Sequence, residues 1–319
     1  MDDKYSCICG VGVEDLDVYF GEHIEKLASN KGASFYSHIR DEILAWYDGY
    51  SWDAKTRVIN PYSLLCFFTR MRFSAFWYDS GTPKFLVDLV KENPRICMNL
   101  DNLRITESAL NSAELDALEA GALLFQTGYL TIKEISHFSD EYIYHLEIPN
   151  REVRKAFNVN LIANISGKSQ SDVTSTQLDM QEAFQNNDMQ KFLDALRGLY
   201  ASTPYDIHVD LEAYYHSIFY AIMNTLGFNV KAETEVSGGR VDAILEIGDR
   251  AYVMEFKHKK CPAKASQKRK RELLEKALED GMEQIKKRGY ANKYIGSGKT
   301  VYLVAIAILG RDNIDMRIE

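Results

Sequence analysis

The run "TVYLVAIAIL" at residues 300–309 constrains this chain more than any other stretch. It is apolar, rich in β-branched side chains and uninterrupted by Gly or Pro, so it reads as a buried strand. The sequence before it supplies neighbours. "LEAYYHSIFYAIMNTLG" has the apolar stripe of a helix that stops at Gly227. "NVKAETEV", "GRVDAILEIG" and "RAYVMEFK" are strand-like runs with "SGG" and "GD" as their turns, and a long charged helix covers about "KASQKRKRELLEKALEDGMEQIKKRGY". The order helix, three strands, helix, strand makes a compact α/β unit whose last strand lies parallel to its neighbour through the helical crossover.

The "GSGKT" at residues 296–300 looks like the end of a phosphate-gripping loop. A P-loop needs a further glycine where Lys293 stands, a strand before it and a helix after it. Here a charged helix precedes and a strand follows. The motif is therefore expected to be a helix-to-strand turn whose glycines permit positive φ, and ATPase chemistry is excluded for it.

Two domains suit 319 residues. The first half reads as mainly helical: "VEDLDVYFGEHIEKLAS", "FYSHIRDEILAWYDGY", "NPYSLLCFFTRM" and "GTPKFLVDLVKEN" have helical spacing, the last two with Pro near the start. "SAELDALEAGALLFQTGYLTIKEI" and "DEYIYHLEIPNREVRKAF" suggest helix, turn, two-stranded hairpin and helix, a winged-helix-like order. The helix in the recognition position is not basic, which points to packing or protein interaction. "NISGKSQSDVTSTQ" has no apolar period and reads as a linker or long turn, followed by a helix in "QEAFQNNDMQKFLDALRGLYAS". The expected boundaries are 1–160 for the helical domain, 161–205 for linker and bridging helix, and 206–319 for the α/β domain.

The five cysteines, at 7, 9, 66, 97 and 261, form neither a disulfide framework nor a paired zinc-ligand spacing. The N-terminus has no signal-peptide pattern and no apolar run spans a bilayer, so the expectation is a reducing, cytoplasmic location without membrane association. Net charge is −8, yet "KHKKCPAKASQKRKR" at 257–271 contains no acidic residue. Such a run is either a solvated loop entering a charged helix or a footprint for phosphates: Lys259, Lys260, Lys264, Lys268, Arg269, Lys270 and Arg271.

Asp242, Glu255 and Lys257 fall in the second and third strand runs. Alternation puts Glu255 and Lys257 on one face and Tyr252, Met254 and Phe256 on the other. A hairpin turned at Gly248-Asp249 brings Asp242 level with Glu255. Each residue alone is an ordinary sheet-surface group, and Glu255 with Lys257 an ordinary ion pair. Together they offer two carboxylates for a hard cation, Mg²⁺ or Mn²⁺, and an ammonium to orient or deprotonate a water or to hold a phosphate oxygen.

"GRVDAILEIGDRAYVMEFK" resembles the signature of the PD-(D/E)xK nuclease superfamily, with Val241 in place of the usual proline. The resemblance implies a restriction-endonuclease-like fold of α-β-β-β-α-β order with a mixed sheet. It is closest to a bacterial (Bacteroidales-type) subfamily in which an AAA-ATPase-like region precedes the nuclease domain. "LEAYYHSIFYAIMNTLGFNV", "GRVD", "MEFK" and "MEQIKKRGYANKY" occur in that subfamily's order. By this resemblance Glu212 is a further acidic site residue, and Gln284 and Tyr290 are auxiliary ones. The first half resembles the segment between ATPase core and nuclease, and the ATPase module itself is not among these residues.

The resulting expectation is a metal-dependent deoxyribonuclease, with Asp242 and Glu255 as metal ligands, Lys257 assisting the nucleophile, and the basic run holding DNA. Cutting both strands favours a homodimer. The competing expectation is a non-catalytic module with a degenerate nuclease fold that binds nucleic acid or protein, for which the aromatics in "FSAFWYDSG" would supply a docking surface.

Overall fold

The computed structural model describes residues 5–28, 33–77, 88, 100–110, 119–202, 212–226, 229–236, 239–262, 264–294, 296–310 and 313–319. The chain divides into two compact units, the first made of Met1–Thr82 and Asn99–Phe157 and the second of Pro83–Met98 and Asn158–Glu319.

In the first unit, helices α1 (Val13–Ala28), α2 (Ala33–Tyr47) and α3 (Pro61–Arg70) share a core of Leu16, Ile24, Ile43, Tyr47, Leu64 and Phe67. Strands β1 (Val11–Gly12) and β2 (Val58–Ile59) pair beside them. Helix α3 starts as its sequence dictates: Asn60 Oδ1 accepts the Ser63 amide at 3.2 Å, and Pro61 follows where no amide partner is needed. The second half of the unit is a three-stranded sheet. β4 (Thr131–Phe138) and β5 (Glu141–Glu147) form the anticipated hairpin, and β3 (Leu103–Thr106), which periodicity did not reveal, pairs with β5 to give the order β3-β5-β4. Short helices α4 (Glu107–Leu110) and α5 (Ala120–Gln126) precede the hairpin and α6 (Arg151–Ser166) follows it. The helix expected in "GTPKFLVDLVKEN" lies, apart from Asp88, outside the described residues.

Two expectations for these regions fail. The described aromatics of "FSAFWYDSG" form no docking surface: Phe76 is 2% exposed, Phe73 stacks on Phe67 at 4.5 Å, and Trp77 packs edge-on against Tyr129 at 5.2 Å. The α2–α3 core is adjacent, and packing these rings against it takes their large apolar area out of water. Their backbone is fastened by Glu152, whose Oε1 accepts from Ser63 Oγ at 2.9 Å and from the amides of Phe76 and Trp77 at 2.6 and 2.8 Å. Nor is "NISGKSQSDVTSTQ" a linker. It ends α6 and begins α7 (Gln170–Gln185), with Ser169 as a cap that accepts the Asp172 amide at 3.1 Å. Most of its polar residues are a cap and outer-face positions, with Ser166 and Gln177 buried, and a search for apolar period does not distinguish such a stretch from a loop.

In the second unit α7, α8 (Met189–Ala201) and α9 (Glu212–Thr225) come before a five-stranded sheet. Its strands are β6 (Asn229–Val236), β7 (Gly239–Ile247), β8 (Arg250–Lys259), β9 (Thr300–Leu309) and β10 (Asn313–Ile318), in the order β10-β9-β8-β7-β6. Helix α10 (Gln267–Arg288) makes the crossover that sets β9 parallel to β8. β10 is a strand the sequence reading left out. Its alternating Ile314, Met316 and Ile318 carry the period, but over only six residues.

The sheet is covered on both faces. Ala251 and Val253 of β8 and Ala305 and Ala307 of β9 pack under Ala277, Leu278, Met282 and Ile285 of α10. On the opposite face Tyr252 meets Phe184 of α7 at 5.2 Å, Phe256 stacks on Phe219 of α9 at 5.2 Å, and His258 stacks on Tyr215 at 4.3 Å. "GSGKT" is a turn into β9. Gly296 and Gly298 have φ of 78° and 75°, and Lys299 pairs with Glu246 of β7. The glycine stop at Gly227 lies outside the described residues.

Candidate active site

The site sits where a hairpin divides. β7 and β8 turn at Gly248 and Asp249 and pair from Ile247↔Arg250 to Ala243↔Met254. Past Ala243, β7 continues paired to β6 alone, with Thr234↔Val241 and Glu235↔Arg240. At the division Asp242 Oδ2 accepts the Phe256 amide at 2.7 Å, a side chain thus taking up a β8 donor. Asp242 and Glu255 are the next opposed pair beyond the ladder, so both carboxylates emerge on the α10 face.

Glu255 is 1% exposed. Its Oε1 receives Lys257 Nζ at 2.8 Å and the side-chain amide of Gln284, while Gln284 Oε1 accepts from Lys257 Nζ at 2.8 Å. The three side chains close a triangle between β8 and α10. The other oxygen, Oε2, is buried and has no hydrogen-bond partner among the described residues. Burial, and next the Asp242 charge, push the Glu255 carboxyl up to about 7, against the pull of Lys257 and Arg288.

α10 approaches closely enough for this because residue 281 is a glycine. A Cβ there would stand 3.2 Å from Ala305 Cβ and 3.5 Å from Lys257 Cγ. One turn on, Gln284 reaches the carboxylate. An open cavity of about 760 Å³ lies against Asp280, Glu283, Gln284, Lys286, Lys287 and Arg288.

Of the residues singled out in the sequence, the structure brings together Asp242, Glu255, Lys257 and Gln284. Glu212 opens α9 and Tyr290 opens a 3₁₀ turn (Tyr290–Tyr294), but the side chains of both lie outside the described residues. The basic run begins at the end of β8 with Lys259, 3.7 Å from Asp280, and continues through the exposed Lys260 and Lys264 into the first turns of α10. Sequence reasoning passed over Gly281 and Arg288. Their signal was helical register, since both fall within about 60° of Gln284 on α10.

The donor chemistry fits a hard divalent cation. Two carboxylates share one face, the deeper one carries an unpartnered buried oxygen, and their mutual repulsion is what a cation relieves. Among the described residues no group of three or more His, Cys, Asp or Glu side chains gathers to hold a metal, and two carboxylates with water are enough for Mg²⁺.

No helix among the described residues is long and apolar enough to cross a membrane. No solved structure matches the chain. One relative, described as an uncharacterized protein in the vnfD 5′ region of Azotobacter chroococcum mcd 1, is 30% identical over 311 residues, covering 96% of this chain and 55% of its own length. The chain therefore spans about half of that relative. Residues 210–316 match the family model of the PD-(D/E)XK nuclease superfamily.

Proposed function

We propose that the chain is a metal-dependent nuclease that hydrolyses DNA phosphodiester bonds, with Asp242 and Glu255 holding Mg²⁺ or Mn²⁺. The observation that carries this reading is the buried, unpartnered Oε2 of Glu255 beside a second carboxylate at the division of β7 and β8. A bound cation there supplies polarisation of a phosphoryl oxygen and a water of lowered pKa. Gln284 and Glu255 fix the Lys257 ammonium from two sides, so its charge is aimed before substrate arrives. Held this way it suits a phosphate oxygen or an attacking water. By the resemblance of the sequence, Glu212 is proposed as a further acidic site residue and Tyr290 as an auxiliary one. From the basic run Lys259, Lys260, Lys264, Arg269 and Lys270 supply backbone charge.

Cytoplasmic action, a homodimer for cutting both strands, and cooperation with an AAA-ATPase-like region belong to the same proposal. The hairpin and α6 of the first unit support a winged-helix-like platform for packing or protein contact, since α5 contains no basic residue. The test is Mg²⁺- and Mn²⁺-dependent cleavage of linear and circular DNA by the wild type beside Asp242→Ala. Cleavage by the wild type alone, abolished by chelator, is the expected result. Equal cleavage by both refutes the site. A folded wild type that neither cleaves DNA nor binds Mn²⁺ returns the chain to the reading of a non-catalytic module.

A further inference from the structure

The charges along α10 divide between two flanks. One faces the β10 side of the sheet, where Lys286 pairs with Glu319 and Glu275 with Arg317. The other is the active-site flank, defined by the hydrogen bonds of Gln284 to Glu255 and Lys257. At about 100° per residue, Arg269, Lys270, Lys276, Lys287 and Arg288 all fall within about 80° of Gln284, whereas Lys268 and Arg271 lie about 140–160° away. Lys270, Lys276 and Lys287 have no ion-pair partner among the described residues. The acids near this flank are Glu272, paired to Arg269 at 3.1 Å, Asp280, 3.7 Å from Lys259, and the exposed Glu283.

Helix stability does not account for the stripe. Cations at a helix C-terminus complement the macrodipole, which would explain Lys287 and Arg288. The same dipole disfavours Arg269 and Lys270 at the N-terminus, where the first turn holds no acidic residue. Along this flank cations outnumber acids, and Asp280 is offset by Lys259, so a net positive stripe suits a linear polyanion lying along it. The active-site end is the more telling. Arg288 is near enough to Glu255 to draw its pKa down, and it lines the cavity with Gln284 and Lys287. Lys287 and Arg288 stand within about 6 Å of Gln284 along the axis, while Arg269 and Lys270 are about 21–23 Å away.

We infer that the active-site flank of α10, from Arg269 and Lys270 through Lys276 to Lys287 and Arg288, is the ridge along which the DNA backbone runs, with Lys287 and Arg288 holding the phosphates beside the cut. This rests on the nuclease reading for its substrate, and it changes the binding surface drawn from the sequence. Lys268 and Arg271 leave it, and Lys276, Lys287 and Arg288 enter. The ridge is about 28 Å long, which matches about eight base pairs at 3.4 Å each.

The test uses the full chain with Ca²⁺ in place of Mg²⁺ and reads the anisotropy of a short labelled duplex across a salt series. Lys276→Ala with Lys287→Ala is expected to weaken binding at least tenfold and to lower the slope of log K against log salt by about 2. Lys268→Ala with Arg271→Ala is expected to stay within twofold of wild type. Equal effects of the two pairs, a larger effect of the second, or no measurable duplex binding at low salt overturns the ridge. A parallel Mg²⁺ cleavage assay keeps the two readings apart. Ridge-dependent binding without cleavage removes the nuclease reading and leaves the ridge; cleavage with binding indifferent to Lys276 and Lys287 does the opposite.

Discussion

Replacing Glu255 by Gln in metal-free protein should stabilise it at alkaline pH while abolishing cleavage. The carboxyl titrates near 4.5 in the unfolded chain and is pushed up to about 7 in the fold, first by burial and then by Asp242. A carboxyl raised on folding leaves the fold unpenalised below its unfolded pKa and costs stability as pH climbs through the folded one. From those two values the wild type loses about 2–3 kcal/mol between pH 5 and pH 8 through this group. Gln keeps the acceptor for Lys257 and cannot ionise. Urea unfolding in chelator at a series of pH values measures the gap between variant and wild type, which cancels the titrating groups that do not interact with Glu255. The gap should widen by about 2–3 kcal/mol across that window. Adding Mg²⁺ at pH 8 should then stabilise the wild type and not the variant. A gap that stays within 0.5 kcal/mol from pH 5 to pH 8 would refute the electrostatic account of the site.

Asp242→Asn keeps an acceptor for the Phe256 amide and should fold like wild type with cleavage down by about 10²-fold or more, and Lys257→Ala should lose a similar factor; wild-type rates in either variant count against the assignments. Gly281→Ala forces a methyl to 3.2 Å from Ala305 Cβ, so cleavage should fall at least tenfold while denaturant stability moves by no more than about 1 kcal/mol, the helix-propensity gain offsetting part of the contact. Glu152→Ala leaves the donors at Ser63, Phe76 and Trp77 buried without an acceptor and should destabilise the first unit by about 3 kcal/mol, with Gln recovering most of it in the same unfolding assay. Lys299→Ala should leave calorimetric ATP titrations as flat as those of the wild type, because this lysine belongs to a turn and pairs with Glu246.

The second unit was legible because its signals are local and redundant. β-branched runs, a glycine-centred hairpin turn and alternation along β8 each fixed one step, and together they put Asp242 opposite Glu255. Gln284 and Tyr290 came from resemblance, for nothing in the spacing of a charged helix says which of its amides meets a strand. Gly281 was hidden for a related reason. A glycine in the middle of a helix reads as a weakness until the strand beneath it is known. Glu152 was hidden more completely, since its donors come from residues 63, 76 and 77 and only folding assembles them. The apparent linker after α6 misled because caps and loops use the same residues.

The parting of β7 from β8 at Ala243 gives the site two halves of unequal tenure. Glu255 and Lys257 ride on a strand bordered by β9 along its whole length and roofed by helices on both faces. Asp242 rides on a segment paired to β6 on one side and bonded on the other through its own carboxylate to the Phe256 amide rather than through a strand ladder. One such bond contributes about 1 kcal/mol, far less than the whole sheet. Amides of residues 239–242 should therefore exchange with solvent well before those of 251–257. Warming the protein should silence the site by fraying its first ligand away, several degrees before the sheet that carries the second one melts.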